Sequence, residues 1–139
     1  LQAAGPEADF GTHVGVRIVS SGAGCSRCTL ALQPWHFNVH QAVHGGAVFT
    51  LADRAMGAAL YSLLSAGELC ATIDIRVSYL KAVTRGPLQC DARVRKRGRR
   101  VAFLEAEVLA GDELVATASA SFAVFADKVK APRPAAAAS

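Results

Sequence analysis

One acidic residue stands in the middle of a long segment with almost nothing polar beside it. Residues 47–64 are rich in Leu, Ala, Met and Phe and contain no Pro, and their length and composition predict a helix. Asp53 sits near its centre. One helical turn to either side are Phe49, Thr50, Met56 and Gly57, so no cation on the same helix reaches the carboxylate. Arg54 is adjacent in sequence and points elsewhere. Ten of the helix positions from Ala47 to Leu60 are apolar on nearly every face, the pattern of a helix that is buried and not lying on a surface. An ionised carboxylate there is costly unless paired. It is either bonded to Thr50 or a neighbouring strand, or it is kept as a catalytic base or nucleophile.

His44-Gly45-Gly46 opens that helix. Amides at a helix N-terminus lack intrahelical partners and lie at the positive end of the helix dipole. Gly45 has no Cβ to keep a substrate carbonyl from its N–H, which makes the triplet an oxyanion-hole design or else a simple turn. Eight residues separate Gly45 from Asp53, about 12 Å along one helix at 1.5 Å per residue. One carbonyl cannot touch both. If both act on one carbonyl, they come from two chains whose helices run antiparallel, and the site is shared across a dimer interface.

Other residues suggest other chemistry. His36, His40 and His44 recur every four positions, a metal-binding face if helical, but Pro34 and Asn38 argue against helix and no metal site is expected. Cys25 and Cys28 form a CxxC without a second ligand pair, since Cys70 and Cys90 stand far apart, and the segment reads as strand; free thiols are expected. Arg93, Arg95, Lys96, Arg97, Arg99 and Arg100 crowd a short stretch of a chain whose net charge is +4. Such a cluster suits an anionic ligand (a phosphate, a nucleic acid, a membrane surface) or is a solvated hairpin tip. Nucleic acid would want aromatic stacking partners, and only Phe103 is near.

These residues need a scaffold. The 139 residues, 52% hydrophobic and 19% charged, suffice for one domain with one core. Strands are expected over residues 13–19 and 28–32, joined by Ser21-Gly22-Ala23-Gly24; after the helix come strands around 71–79, 88–94, 101–109 and 114–125. In the third strand Ala71, Ile73, Ile75, Val77 and Tyr79 face one way and Thr72, Asp74, Arg76 and Ser78 the other. Arg97-Gly98-Arg99 is a tight hairpin. Short turns imply a four-strand antiparallel meander, giving an α+β fold in which one sheet wraps around one long helix. Residues 1–12 read as an N-terminal extension, 13–127 as the single domain and 128–139 as a mobile tail. No signal peptide and no apolar run long enough for a membrane span are seen, so a cytoplasmic protein without a membrane partner is expected.

The run Asn38-Val-His-Gln-Ala-Val-His44-Gly45-Gly46-Ala-Val-Phe-Thr-Leu-Ala-Asp53 resembles the signature of hot-dog acyl-CoA thioesterases of the phenylacetate-pathway and 4-hydroxybenzoyl-CoA type. The resemblance extends through Ala71-Thr72-Ile73-Asp74-Ile75-Arg76-Val77-Ser78-Tyr79 and Lys96-Arg97-Gly98-Arg99-Arg100-Val101-Ala102-Phe103. It implies a hot-dog fold, an acyl-CoA substrate, no cofactor and a homo-oligomer built as a dimer of dimers. By position, it implies that Asp53 activates water or attacks the thioester carbonyl, that the Gly45 N–H of the other subunit polarises that carbonyl, and that Asn38 positions substrate or water. It further implies that His44 orients the loop or approaches the sulfur and that Thr72 holds the nucleophilic water. Tyr79, Lys81, Arg97, Gly98, Arg99 and Arg100 align with segments that bind CoA. Gln41 departs from the pattern, standing where relatives commonly have Gly, which would reshape the acyl pocket or the presentation of Asn38. The alternative within the same fold is an acyl-CoA-binding protein without catalysis.

Overall fold

The computed structural model describes residues 9–128. The order of elements is α1 (Phe10–Val14), β1 (Val16–Gly22), β2 (Cys25–Leu30), a 3-10 turn (Pro34–His36), α2 (Gly45–Tyr61), β3 (Glu68–Tyr79), β4 (Leu88–Arg97), β5 (Val101–Ala110) and β6 (Glu113–Ala126). All ladders are antiparallel, in one six-stranded sheet ordered β1-β2-β4-β5-β6-β3. The helix packs across this sheet and touches every strand. No helix among the described residues is long and apolar enough to cross a membrane.

Two expectations about topology need correction. The last four strands are not a meander: β3 pairs with β6, and β4 pairs with β2. Residues 80–87, linking β3 to β4, are too many for a hairpin turn and cross from one side of the sheet to its interior. The first strand begins at Val16; residues 10–14 instead form a helical turn capped by Asp9, whose carboxylate accepts from the Thr12 N–H at 2.8 Å. This turn lies against α2, where Arg54 reaches Asp9 at 3.4 Å. Residues 129–139 of the expected tail lie outside the described residues.

The helix has one buried stripe, not apolar burial all round. Ala47, Val48, Leu51, Ala52, Ala55, Met56, Ala59 and Leu60 are buried, recurring as neighbouring pairs every four positions. Opposite them the sheet offers small side chains, with Ala102, Ala106, Ala116, Ala118 and Ala120 all buried, so the helix beds closely between larger Leu88, Leu104, Val108 and Phe122. Each fully buried Leu contributes about 1.5–3 kcal/mol. The other helix face, carrying Phe49, Thr50, Asp53, Gly57 and Tyr61, is open or half-open in the single chain.

Strand β3 also departs from simple alternation. Thr72 pairs with Phe122 and Asp74 with Ser121, so Ile73 is an extra residue opposite no partner, a β-bulge. The bulge inverts the facing of every later residue. Thr72 before it and Ile75, Val77 and Tyr79 after it therefore all face the helix, although simple period-two counting sets Thr72 opposite Tyr79. β3 is the edge of the sheet, and its twelve residues are mostly exposed.

The β4–β5 hairpin turns at Gly98, whose N–H donates to the Val101 carbonyl at 2.9 Å. A Cβ at Gly98 would run into that carbonyl oxygen. Gly98→Ala is expected to cost about 1–3 kcal/mol and lower Tm by roughly 4–10 °C in thermal unfolding followed by circular dichroism. An unchanged Tm would show that the turn relaxes freely.

Candidate active site

Asp53 projects from the open face of α2, half-buried rather than enclosed. The Thr72 hydroxyl donates to its Oδ1 at 2.8 Å across the gap to β3. The bonding thus goes to the neighbouring strand, while the Thr50 hydroxyl donates to the Gly46 carbonyl instead. No cation pairs with Asp53 among the described residues; Arg54 is committed to Asp9. The second carboxylate oxygen and the lone pairs of Thr72 remain available to a water or a substrate carbon. Cys70, two residues before Thr72 on the same strand face, lies close by: burial first, and then the charge of Asp53, raises its thiol pKa. Its proximity was not anticipated, and period-two spacing from Thr72 is the signal that could have shown it.

His44 is the N-cap of α2. Its Nδ1 accepts from the Gly46 N–H at 2.8 Å, and its carbonyl accepts from the Ala47 N–H at 2.9 Å. The Gly45 N–H has no partner among the described residues. It is an unspent donor at the positive end of a 17-residue helix. Tyr79, at the end of β3, donates its hydroxyl to the Gly45 carbonyl at 2.8 Å.

Asn38 organises the loop before the helix. Its Oδ1 accepts from the N–H of His40 at 2.9 Å and of Ala42 at 3.2 Å. Both partners are donors, which fixes which atom is oxygen and leaves the side-chain NH2 free to donate. Asn38, Gly45, Gly46, Tyr79 and Lys81 line one recess of about 590 Å³. Asp53 and Thr72 are not in it. A second recess of about 590 Å³ lies on the outer face of the sheet, among Arg27, Asp91, Arg93 and Glu105, whose charges already pair with one another.

The cationic cluster divides. Arg93 and Arg95 approach Glu105 at 3.3 and 3.7 Å, and Arg97 bonds Glu68 at 2.8 Å while bracing the hairpin carbonyl of Gly98. Arg99, Arg100 and Lys96 have no side-chain partner among the described residues. Lys81 pairs with Glu113 at 2.7 Å, both exposed, a contact of little net strength. Lys81 follows Tyr79 at one end of β3, and the hairpin meets Glu68 at the other. These ends are roughly 36 Å apart at 3.3 Å per residue. One chain does not bring Lys81 and the hairpin together.

The remaining candidates hold structural positions. Buried His36 accepts from the Gln33 N–H at its Nδ1 and lies 2.6 Å from the Val14 carbonyl at Nε2; His40 is exposed, and His44 is a cap, so the three rings do not converge. No group of three or more His, Cys, Asp or Glu among the described residues could hold a metal ion. Cys25 is exposed and Cys28 buried, because residues three apart on a strand face opposite sides. Burial pushes the Cys28 thiol up to about 11, which keeps the free group protonated at neutral pH.

Residues 40–117 match the family model described as the thioesterase superfamily. The chain is 33% identical over 94 residues to a provisionally named esterase of Pseudomonas aeruginosa, a match covering 67% of the chain and 70% of that protein. It is 32% identical over 97 residues to the acyl-coenzyme A thioesterase PaaI of Escherichia coli, covering 69% of the chain and 67% of the relative. Across the curated relatives, the match spans from 58% to 73% of their own length. A conserved protein of Pseudomonas aeruginosa of known structure superposes with a TM-score of 0.82 at 36% identity, over 85% of this chain and 94% of that one.

Gln41 has a backbone reason to be unusual. Its φ of +66° is in the left-handed region, which favours glycine, and its side chain is exposed. Its position closes the turn in which its N–H donates to the Asn38 carbonyl at 3.1 Å. The strain of a side chain in this conformation exceeds the entropy that a glycine would lose on folding. Gln41→Gly is expected to gain roughly 0.5–1 kcal/mol, read as a Tm raised by a few degrees. A Tm that falls would contradict this.

Proposed function

The chain belongs to the thioesterase superfamily, and on that premise we propose that it hydrolyses acyl- or aryl-CoA thioesters to free acid and CoA. The observation that carries the proposal is the split site. An acid with a hydroxyl bonded to it stands on the open face of α2, and an unspent amide with a free side-chain NH2 stands at the helix's start. Each group is half of a hydrolytic centre, and one rigid helix keeps them about 12 Å apart.

Two antiparallel copies of α2 complete the centre. Setting Gly45 of one chain against Asp53 of the other places position 49, midway between 45 and 53, on the two-fold axis. Phe49 is there, 40% exposed in the single chain and in need of cover. The open edge of β3, with a row of unsatisfied backbone groups, supports the same partner, since a second β3 continues the sheet. A dimer of dimers is the assembly that the sequence resemblance adds.

In this arrangement Asp53 delivers the attacking oxygen to the thioester carbon, directly or by deprotonating a water that Thr72 helps to hold. Negative charge develops on the carbonyl oxygen, where the Gly45 N–H and the Asn38 NH2 donate to it. The carbon–sulfur bond then breaks and the CoA thiolate takes up the proton removed from the water. On the direct route the acyl group is left on Asp53 as an anhydride, which a water hydrolyses to free acid and the regenerated carboxylate, its proton going to the thiolate. Lys81 of the chain that supplies Gly45, and Arg99 and Arg100 of the chain that supplies Asp53, meet the CoA phosphates. Arg97 and Gly98 hold the hairpin that presents those two arginines. Hydrolysis by these groups requires no metal or organic cofactor.

Asp53→Asn tests the reading, because Asn still accepts from Thr72 and the fold is retained. A free-thiol assay over a panel of aryl and alkyl acyl-CoAs is expected to show kcat reduced about 10³-fold, within the range of general acid–base and nucleophilic contributions. Release at the parental rate would remove Asp53 from the mechanism. CoA binding by the parental protein with no thiol released from any member would favour the non-catalytic binding protein.

A further inference from the structure

The recess at the start of α2 contains a contact that the hydrolytic centre has not yet used. The Tyr79 hydroxyl donates to the Gly45 carbonyl at 2.8 Å, and a Cβ built on Gly45 would lie 3.2 Å from that oxygen and 3.3 Å from the ring carbon bearing it. The ring is therefore seated directly on the glycine. Tyr79 itself is anchored: its backbone pairs with Ala116 on β6, and the next residue's N–H donates to the Val115 carbonyl at 2.9 Å. The bulge at Ile73 is what turns this ring toward the helix. Burial raises the pKa of the Tyr79 phenol, so the hydroxyl keeps its proton as a donor at neutral pH.

The first turn of α2 needs such a contact. Two consecutive glycines begin it, and glycine is the residue with the largest backbone freedom. His44 occupies two of the three leading amides, those of Gly46 and Ala47, through its Nδ1 and its carbonyl. The Ala47 bond also holds the His44 carbonyl, which shares a peptide plane with the free Gly45 amide, and Tyr79 adds a bond on the other side of Gly45, at its own carbonyl. A donor that polarises a developing oxyanion must be fixed before the reaction, since reorientation during it costs much of the benefit.

We propose that Tyr79 is a positioning residue that locks Gly45 from the sheet side and so aims the Gly45 N–H at the carbonyl oxygen. This rests on the thioesterase reading. It assigns Tyr79 a role in the rate of the chemical step, in place of the CoA contact that alignment alone implies. Tyr79 touches Gly45 and not the reacting atoms.

Tyr79→Phe keeps the ring and removes only the donated hydrogen bond. In steady-state acyl-CoA hydrolysis beside the parental protein, kcat is expected to fall about 10- to 100-fold while KM stays within about twofold, the signature of an interaction expressed in the transition state. A CoA thioether, which has no carbonyl to polarise, is expected to bind both proteins equally by calorimetry. Hydrogen exchange at the Gly45 amide is expected to be faster in the variant. An unchanged kcat, or a thioether affinity that drops in step with kcat/KM, would overturn the proposal, the second outcome showing a CoA contact instead. A parental protein that releases no thiol from any acyl-CoA would overturn the thioesterase reading itself and the lock's role with it. A variant that matches an active parent overturns the lock alone.

Discussion

The spacing of Asp53 and Gly45 on a single rigid helix constrains everything else in the molecule. Eight residues of α-helix keep them about 12 Å apart, and no side-chain movement closes that distance. The helix is also not free to bend toward itself, because its buried stripe is bedded against all six strands. An acid and an oxyanion donor built in this way serve one reacting carbon only when two helices lie side by side and head to tail. On the proposed reading, catalysis and association become one property: a lone chain has two half-sites and no whole one.

The sheet is shaped to leave that arrangement possible. Small alanines on the inner face let α2 sink onto the strands along one stripe, which keeps its other face clear. The edge position of β3 leaves both the helix face and a strand edge unpartnered on the same side of the molecule. The bulge at Ile73 adds the finer adjustment. It brings Thr72, inside the 12-residue strand, to Asp53 and Tyr79, at its end, to Gly45, where regular alternation would turn one of them outward.

Much of this was legible in the residues alone. The lone acid in an apolar helix, the His-Gly-Gly start and the distance between them already contain the shared-site argument, and the antiparallel strands follow from alternation and turn residues. Three features were not readable, each for a physical reason. A bulge is a pairing event between two strands, and nothing within residues 68–79 marks Ile73 as the extra one. Strand order depends on where the 80–87 crossover lands, which is a tertiary choice. The open helix face looked buried because its Phe49, Gly57 and Ala58 are residues that suit a core. Gln41 shows the reverse case, in which the departure from the usual Gly was visible early and the positive φ supplied its meaning.

Mixed oligomers test the shared site most directly. Asp53→Asn removes the acid, and Asn38→Asp removes the NH2 donors while keeping the acceptor oxygen that His40 and Ala42 use. Each homo-oligomer should hydrolyse acyl-CoA poorly. After co-expression, a mixed dimer holds one site with both changes and one with neither; random pairing makes half the dimers mixed, so activity should recover to about one quarter of the parental value. A mixture no more active than the average of the two variants would mean that Asp53 and Asn38 act within one chain, and the account of a divided centre would be wrong.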